Sequence, residues 1–186
     1  MERPDTAQEI LGAAEKMARQ GGYNSFSFRE IAKAVGVKSA SVHYHFATKE
    51  ALGAAIAKNY TAQFLGALGD PDALKTAKSA LSRYISAYRQ ALVEDGMMCL
   101  CGVLGAEIDA LPPAVTAEAR HFFVANIDWL MTAIDRPDGP KTKAKRREKA
   151  LKTIATLEGA MILSRTLGDH SVFDQAVKSL TATPSS

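Results

Sequence analysis

Hydrophobic residues recur along the whole chain at the three- to four-residue spacing of α-helices, and the alternation typical of β-strands is almost absent. A first apolar stripe begins at Ile10 and ends at the glycine pair 21–22. A second, shorter stripe begins at Phe28 and stops at Gly36, and a third segment runs from 39 to about 46. The pattern therefore predicts three N-terminal helices, two of them short.

A longer helix is predicted after these three. Thr48 is placed to act as its N-cap, because a threonine hydroxyl accepts a hydrogen bond from the first turn of a helix. Four apolar residues follow at intervals of four, namely Leu52, Ile56, Tyr60 and Phe64. The helix is expected to run for about 20 residues, or about 30 Å, until the sequence Gly69-Asp70-Pro71 ends it.

Beyond Pro71 the pattern predicts mostly long helices, and 137–140 is the clearest internal linker. The predicted segments are 74–96, 97–109, 113–134, 144–167 and 172–180. The fold class is expected to be all-α, with an N-terminal domain over residues 1–47, a larger helical domain over 48–180 and a flexible tail over 181–186.

The stretch 28–52 is the most informative part of the sequence, and it reads FREIAKAVGVKSASVHYHFATKEAL. A helix, a tight turn containing glycine and a second short helix form a helix-turn-helix arrangement. Gly36 lies where the chain must turn sharply, which suits a residue that adopts positive φ. The apolar residues expected to pack this unit together are Ile31, Ala32, Val35, Val37, Val42 and Phe46.

The remaining side chains of this stretch suit a DNA surface. Those expected on the outer side of the second helix carry hydrogen-bonding groups for base edges in the major groove; they are Lys38, Ser39, Ser41, His43 and Tyr44. Arg29 and Lys49 lie near helix N-termini, where anionic phosphates bind well. Residues 27–58 contain five Lys or Arg and two Glu. The alternative is a three-helix packing unit with a solvated basic face.

The same stretch resembles the DNA-binding domain of the tetracycline-repressor (TetR) family over about residues 7–56. The aromatic and His-rich second helix, Phe46 and the Thr48-Lys49-Glu50 helix start carry the resemblance. It implies DNA-contact or near-contact positions at Arg29, Ser39, Ser41, His43, Tyr44, His45 and Lys49. His43 departs from the tyrosine usual in the family. The resemblance also implies a homodimer whose C-terminal helical domain binds an effector.

Composition adds limits to this interpretation. The chain has 186 residues, 47% hydrophobic and 23% charged, with a formal net charge of +3. That charge alone does not indicate nucleic acid, although a local basic face can lie within a near-neutral total. There is no apolar signal segment at the start and no stretch of about 18 apolar residues, so we expect a cytoplasmic protein without a membrane partner. The sequence contains neither a phosphate-binding glycine loop nor a nucleophile motif, so we do not expect an enzyme.

The two cysteines, Cys99 and Cys101, are expected on the predicted 97–109 helix. Positions two apart on a helix point in different directions, so the pair is unsuited to a shared metal or a disulfide. We expect buried side chains, and no metal or cofactor; a reactive sensor thiol is the alternative. His43 and His45 have the same spacing and are equally unsuited as a metal-chelating pair.

Two further groups concern the C-terminal domain. Aromatic residues with a few polar groups are typical of an apolar ligand pocket, although such residues also build ordinary cores. The predicted lining residues are Tyr60, Phe64, Tyr84, Tyr88, Cys99, Cys101, Phe122, Phe123, Asn126 and Trp129. Small residues on the 144–167 helix allow another helix to approach closely, and the family resemblance implies that late helices pair between subunits. The predicted interface residues are Ala155, Gly159 and Ile162, with packing inside the chain as the alternative.

The sequence as a whole predicts a ligand-responsive repressor, which binds a palindromic double-stranded operator as a homodimer and is released by a small-molecule effector. Two alternatives stay open at this point. One is a DNA-binding regulator with no small-molecule ligand, and the other is a sensor of electrophiles or redox state that uses its cysteines.

Overall fold

The computed structural model describes residues 6–181. Over this range the chain forms nine α-helices and no β-strand, which confirms the all-α prediction. In chain order they are α1 Thr6–Gly21, α2 Phe28–Val35, α3 Ser39–His45, α4 Lys49–Leu68, α5 Ala77–Val93, α6 Leu100–Ala106, α7 Pro113–Ala133, α8 Lys143–Leu167 and α9 Ser171–Thr181. Short 3-10 turns lie at Tyr23–Ser25, Pro71–Ala73 and Ile108–Ala110.

Most helix ends follow the local sequence rules. The Thr48 hydroxyl accepts a hydrogen bond from the Ala51 N–H at 3.0 Å, so the predicted N-cap of α4 is confirmed. That helix has 20 residues and ends directly before Gly69, as expected. Gly168 ends α8 in the left-handed region, at φ 68°.

Two helix starts differ from the prediction. The helix expected from Leu74 begins at Ala77, because Pro71–Ala73 forms a separate 3-10 turn and Thr76 caps α5 together with Ser79. The prediction of one continuous helix over 97–109 is wrong. The segment contains α6, which begins at Leu100, and a separate 3-10 turn at Ile108–Ala110.

This difference changes the account of the cysteines. Cys99 is the N-cap of α6 rather than part of the helix, and its Sγ accepts a hydrogen bond from the Gly102 N–H at 3.4 Å. The helical spacing expected between Cys99 and Cys101 is therefore wrong. A thiol that caps a helix start takes an extended backbone, which no apolar periodicity reveals. The expectation that both side chains are buried is confirmed.

The described chain divides into two compact units. The first comprises residues 6–63 and 99–123, and the second comprises 64–98 and 124–181. The functional boundary expected between residues 47 and 48 stays a prediction, since the first compact unit continues past it. The predicted tail lies outside the described residues except for Thr181, which is the last residue of α9.

Candidate nucleic-acid interface

The turn between α2 and α3 is built as the sequence predicts. The Ser27 hydroxyl caps α2 by accepting a hydrogen bond from the Glu30 N–H at 3.3 Å. Gly36 ends the helix at φ 78°, and its N–H donates to the Ala32 carbonyl at 2.9 Å. A Cβ at Gly36 would meet no atom within 4 Å. Glycine is therefore needed here for its backbone conformation and not for space.

Helix α3 has one fully buried residue and several exposed ones. Val42 has no exposed surface, and it shares the N-terminal core with Ile31 and Ala32. Val35, Val37 and Phe46, also expected in this core, are only half-buried. The exposed residues on and next to α3 are Lys38, Ser39, His43, Tyr44 and His45, while Ser41 is half-buried. The hydrogen-bonding face predicted from sequence is thus open on the protein surface.

Two of these exposed side chains are held by neighbouring rings. The His43 imidazole lies edge-on to Phe28, the first residue of α2, with ring centroids 4.5 Å apart. Tyr44 lies edge-on to His45 at 5.2 Å, and its side chain is 86% exposed. Edge-to-face contacts of this kind are favourable and stabilise one orientation of side chains that lie in solvent. Phe28 therefore contacts one of the predicted DNA-binding residues, a contact that the sequence pattern did not indicate.

Lys49 and Arg29 flank this face differently. Arg29 is exposed, whereas Lys49 is half-buried at the first position of α4. The Lys49 Nζ lies 4.7 Å from the centroid of the Tyr23 ring and 4.8 Å from that of Phe26, as in cation–π contacts. Sequence analysis missed both aromatic residues; their position in the α1–α2 connection was the available signal.

The electrostatic surroundings of Lys49 are mixed. Partial burial lowers the pKa of its ammonium group, while the negative charges of Glu30 and Glu107 raise it. The two carboxylates therefore favour the charged form that burial disfavours. Such a cation is suited to meeting a phosphate, since it is already partly desolvated by aromatic faces.

The N-terminal helices match a family of known regulators, and the whole chain is similar to a solved regulator structure. Residues 10–56 match the family described as bacterial regulatory proteins, tetR family. A crystal structure of a TetR transcriptional regulator from Legionella pneumophila is 30% identical, with a TM-score of 0.89 and 97% of each chain covered. This chain belongs to the TetR family. It is a transcriptional regulator with an N-terminal helix-turn-helix DNA-binding domain.

Two other matches agree with this assignment. A TetR-family regulator from Agrobacterium tumefaciens is 28% identical over 95% of each chain, with a TM-score of 0.87. The HTH-type transcriptional repressor DhaR of Mycobacterium sp. (strain GP1) is 24% identical, over 94% of this chain and 90% of that protein. The proteins similar to this TetR-family chain are thus transcriptional regulators.

The ten residues predicted to line a ligand pocket are divided between the two compact units. Five lie in the first unit, namely Tyr60, Cys99, Cys101, Phe122 and Phe123. Tyr60 packs on Phe122 with centroids 5.5 Å apart. Burial, and after it the neighbouring Cys99, raises the pKa of Tyr60 well above its ordinary value, so this phenol stays protonated.

The other five, Phe64, Tyr84, Tyr88, Asn126 and Trp129, lie in the second unit. Four aromatic rings pack there with centroids 5.5 to 5.9 Å apart. The fully buried Asn126 accepts a hydrogen bond from the Tyr84 hydroxyl at 2.9 Å, and the Tyr88 hydroxyl donates to Glu158 at 2.9 Å. Trp129 Nε1 donates to the Gly69 carbonyl at 2.8 Å. The structure therefore joins these five into one aromatic cluster with buried polar groups.

The second unit also contains a cavity of about 420 Å³ that the sequence did not indicate. It lies between the start of α5, the α7–α8 connection and the end of α9. Its lining includes Leu81, Ile134, Pro140 and Lys149, and none of the ten predicted pocket residues borders it.

The three predicted interface residues lie on the outer part of α8. Ala155 is exposed, Ile162 is 55% exposed and Gly159 is half-buried. A Cβ at Gly159 would meet no atom within 4 Å, so packing inside the chain does not require glycine there. Leu151, Leu163 and Leu167 on the same helix also expose much of their side chains.

Between residues 6 and 181, no group of three or more His, Cys, Asp or Glu side chains is arranged to hold a metal ion. In the same range, every helix is too short or too polar to cross a lipid bilayer.

Proposed function

We propose that this TetR-family chain is a homodimeric repressor that binds a palindromic operator and is released by a small-molecule effector. The exposed face of α3 carries the DNA half of the proposal. Its hydroxyl, imidazole and ammonium groups point to solvent while Val42 holds the helix against the core. The phenol of the exposed Tyr44 is accessible, so its hydroxyl and its ring can contact base edges in a DNA groove.

The residues divide into two roles in this proposal. Lys38, Ser39, Ser41, His43 and Tyr44 contact base edges, which distinguish one sequence from another. Arg29, His45 and Lys49 contact phosphates, which position the protein without selecting sequence.

The dimer is proposed to form through the outer face of α8, around Ala155, Gly159 and Ile162. Exposed apolar side chains on either side of a glycine allow two helices to approach closely and exclude water from the seam. A two-fold axis through such a seam would repeat α3 on the second subunit, and a palindromic operator matches that symmetry. The similar protein DhaR is an HTH-type transcriptional repressor, which supports repression rather than activation for this chain.

The effector half rests on the buried polar groups of the second unit together with the family resemblance. Asn126 and Tyr84 give hydrogen-bonding groups inside an otherwise aromatic cluster, the combination typical of sites for apolar ligands. An effector that binds one arrangement of the dimer more tightly than the other would change the spacing of the two recognition helices.

One observation favours a second candidate, a regulator without a small-molecule ligand. The aromatic residues of the second unit pack on one another, and the cavity of about 420 Å³ lies elsewhere. In that case the C-terminal domain serves dimerisation or the docking of a protein partner.

A thermal-shift screen against a metabolite panel and an electrophile panel separates the two candidates. A ligand that binds only the folded protein raises its apparent stability, by about 2.7 kcal/mol at one hundred times Kd. We expect at least one compound to raise Tm and to release the wild-type protein from DNA. Asn126→Leu is the matched variant, expected to bind DNA but to lose the shift. Release without any contribution from Asn126 would contradict the proposed location, and a screen without hits would favour the ligand-free regulator.

A further inference from the structure

Glu107 connects two parts of the first unit that are distant in sequence. It directly follows α6 and is half-buried. Its Oε2 accepts a hydrogen bond from the Tyr23 N–H at 2.9 Å, across 84 residues of sequence. Tyr23 begins the 3-10 turn between α1 and α2. The carboxylate therefore holds the connection that leads into the helix-turn-helix.

The second oxygen of this carboxylate lies against the backbone of Gly22. A Cβ at Gly22 would be 1.9 Å from the Glu107 Oε1 and 2.8 Å from its carboxyl carbon. Gly22 also has φ 84°, a conformation that side chains rarely adopt. The absence of a side chain at Gly22 therefore allows the Glu107 carboxylate to approach the backbone. Any other residue at position 22 would disrupt this contact.

Tyr23 in turn contacts the predicted phosphate-binding lysine. The Lys49 Nζ lies 4.7 Å from the centre of the Tyr23 ring. On α4 the same ring packs closely on Gly53, where a Cβ would be 2.6 Å from Cε2 of Tyr23. Since Gly53 leaves the ring little room to rotate, the ring cannot compensate for a displacement of the Tyr23 backbone. Such a displacement is therefore expected to move the aromatic surface that contacts the Lys49 ammonium.

We propose that Glu107 is a positioning residue for DNA binding: by holding the Tyr23 turn, it keeps the Lys49 ammonium where it meets a DNA phosphate. A shift of the segment after α6 therefore changes DNA affinity through this carboxylate. The inference rests on the proposed role of Lys49, and it goes beyond that proposal by assigning a function to a residue outside the helix-turn-helix.

The Gln variant separates positioning from plain electrostatics. Removing the Glu107 charge relieves its repulsion of DNA phosphates, but it also withdraws a carboxylate that favours the charged form of Lys49. Glu107→Gln removes the same charge as Glu107→Ala and keeps the hydrogen-bond acceptor, so loss of positioning weakens binding only in the variants that lose the hydrogen bond to Tyr23. The probe is a DNA duplex that the wild-type protein enriches from a random-sequence pool, and affinity is measured over a range of salt concentrations.

We expect Glu107→Ala to weaken binding to this duplex about tenfold, the scale of a lost hydrogen bond to a charged group. Glu107→Asp keeps the charge but is one methylene shorter, so it should weaken binding as well. Glu107→Gln keeps an acceptor oxygen of the same reach and should restore most of the affinity. Glu118→Ala, another half-buried glutamate of the first unit, is the control and should not weaken binding.

Two measurements keep the interpretation specific. The Tyr23 amide should exchange hydrogen faster in Glu107→Ala and Glu107→Asp than in Glu107→Gln. In a Lys49→Ala background, Glu107→Ala should change the affinity less than twofold, since positioning has no effect without the positioned group. If Glu107→Ala does not fold, the Asp variant decides alone.

The possible failures are distinguishable. If the wild-type protein enriches no sequence, the proposed DNA function fails first. If it enriches a duplex but both Glu107→Ala and Glu107→Asp bind as tightly as wild type, the inference is overturned. An effect of full size in the Lys49→Ala background also overturns it.

Discussion

Helices α3 and α8 expose side chains of different chemical character. On α3 the exposed side chains carry hydroxyl, imidazole and phenol groups, with Tyr44 86% exposed. On α8 the first turns expose mainly Lys and Arg, but from Leu151 onward several aliphatic side chains are exposed as well, with Ile162 55% and Leu167 65% exposed. Hydrogen-bonding groups on a surface suit a polar groove, whereas several aliphatic groups on one helix indicate a surface that another protein covers. The comparison therefore favours different partners for the two helices, DNA for α3 and a second protein chain for α8.

The two helices also differ in what holds them. Helix α3 has one buried residue, Val42, among its 7 residues. Helix α8 has 25 residues, seven of which are buried, from Ala150 to Ser164. A substitution on the outside of α8 consequently leaves the fold of the chain intact, so it tests association directly. A substitution on α3 must be chosen among its most exposed residues for the same reason.

The largest expected effect is the loss of the dimer in Gly159→Arg. A long charged side chain cannot enter a close-packed apolar seam, and the space at Gly159 is open within the chain itself. Sedimentation should show monomers, or the protein should become insoluble. Gly66→Arg is the control, because Gly66 is an exposed glycine of α4 and, like Gly159, has no atom within 4 Å of a Cβ. A soluble Gly159→Arg dimer would place the interface elsewhere.

The next effect is the loss of sequence discrimination in Tyr44→Ala and in Ser41→Ala. A good base-edge contact contributes about 1–3 kcal/mol of discrimination, so the ratio of operator to random-sequence affinity should fall about tenfold or more. Gel-shift titrations on both DNAs measure the ratio. Since Tyr44 is 86% exposed, its variant should unfold at an unchanged temperature. If both folded variants kept the wild-type ratio, α3 would not be the recognition helix.

A smaller and non-selective effect is expected for Lys49→Ala. Removing one phosphate contact should weaken binding to all DNA sequences similarly and reduce the slope of log affinity against log salt by about one. The same titrations at several salt concentrations give the slope. An unchanged slope would mean that the Lys49 ammonium serves only its contacts with Tyr23 and Phe26.

The smallest effect is expected for the cysteines. Cys99 and Cys101 are 1% and 0% exposed, and burial of a thiol disfavours its reactive thiolate form. Operator binding should therefore survive moderate treatment with N-ethylmaleimide. The comparison is with the Cys99→Ser/Cys101→Ser double variant. Release of the wild type alone would instead identify a thiol-based switch.

The features that could be predicted from sequence are those with local causes. The Thr48 cap, the Gly36 turn and the burial of Val42 each follow from a few neighbouring residues. The contact between Glu107 and Tyr23 could not be predicted, because it joins residues 84 positions apart and depends on the path of the chain. The prediction that Cys99 lies within a helix was wrong, because apolar periodicity does not show which residue caps the helix start.

The aromatic residues illustrate a second limit. Their helical spacing indicated burial correctly for Tyr84 and Tyr88, which are 0% and 1% exposed. It could not show which rings contact each other, nor that Asn126 would accept a hydrogen bond from Tyr84. Such contacts depend on helix packing in three dimensions, which a one-dimensional pattern does not contain.

The central claim is that two copies of this chain bind one palindromic operator through α3. The most direct measurement is footprinting of a duplex enriched from a random-sequence pool, combined with the mass of the complex in sedimentation. The account predicts two protected half-sites related by a dyad, a whole number of helical turns apart, and two chains or a multiple of two per duplex. Enrichment of no sequence, or protection of one half-site by a single chain, would contradict it.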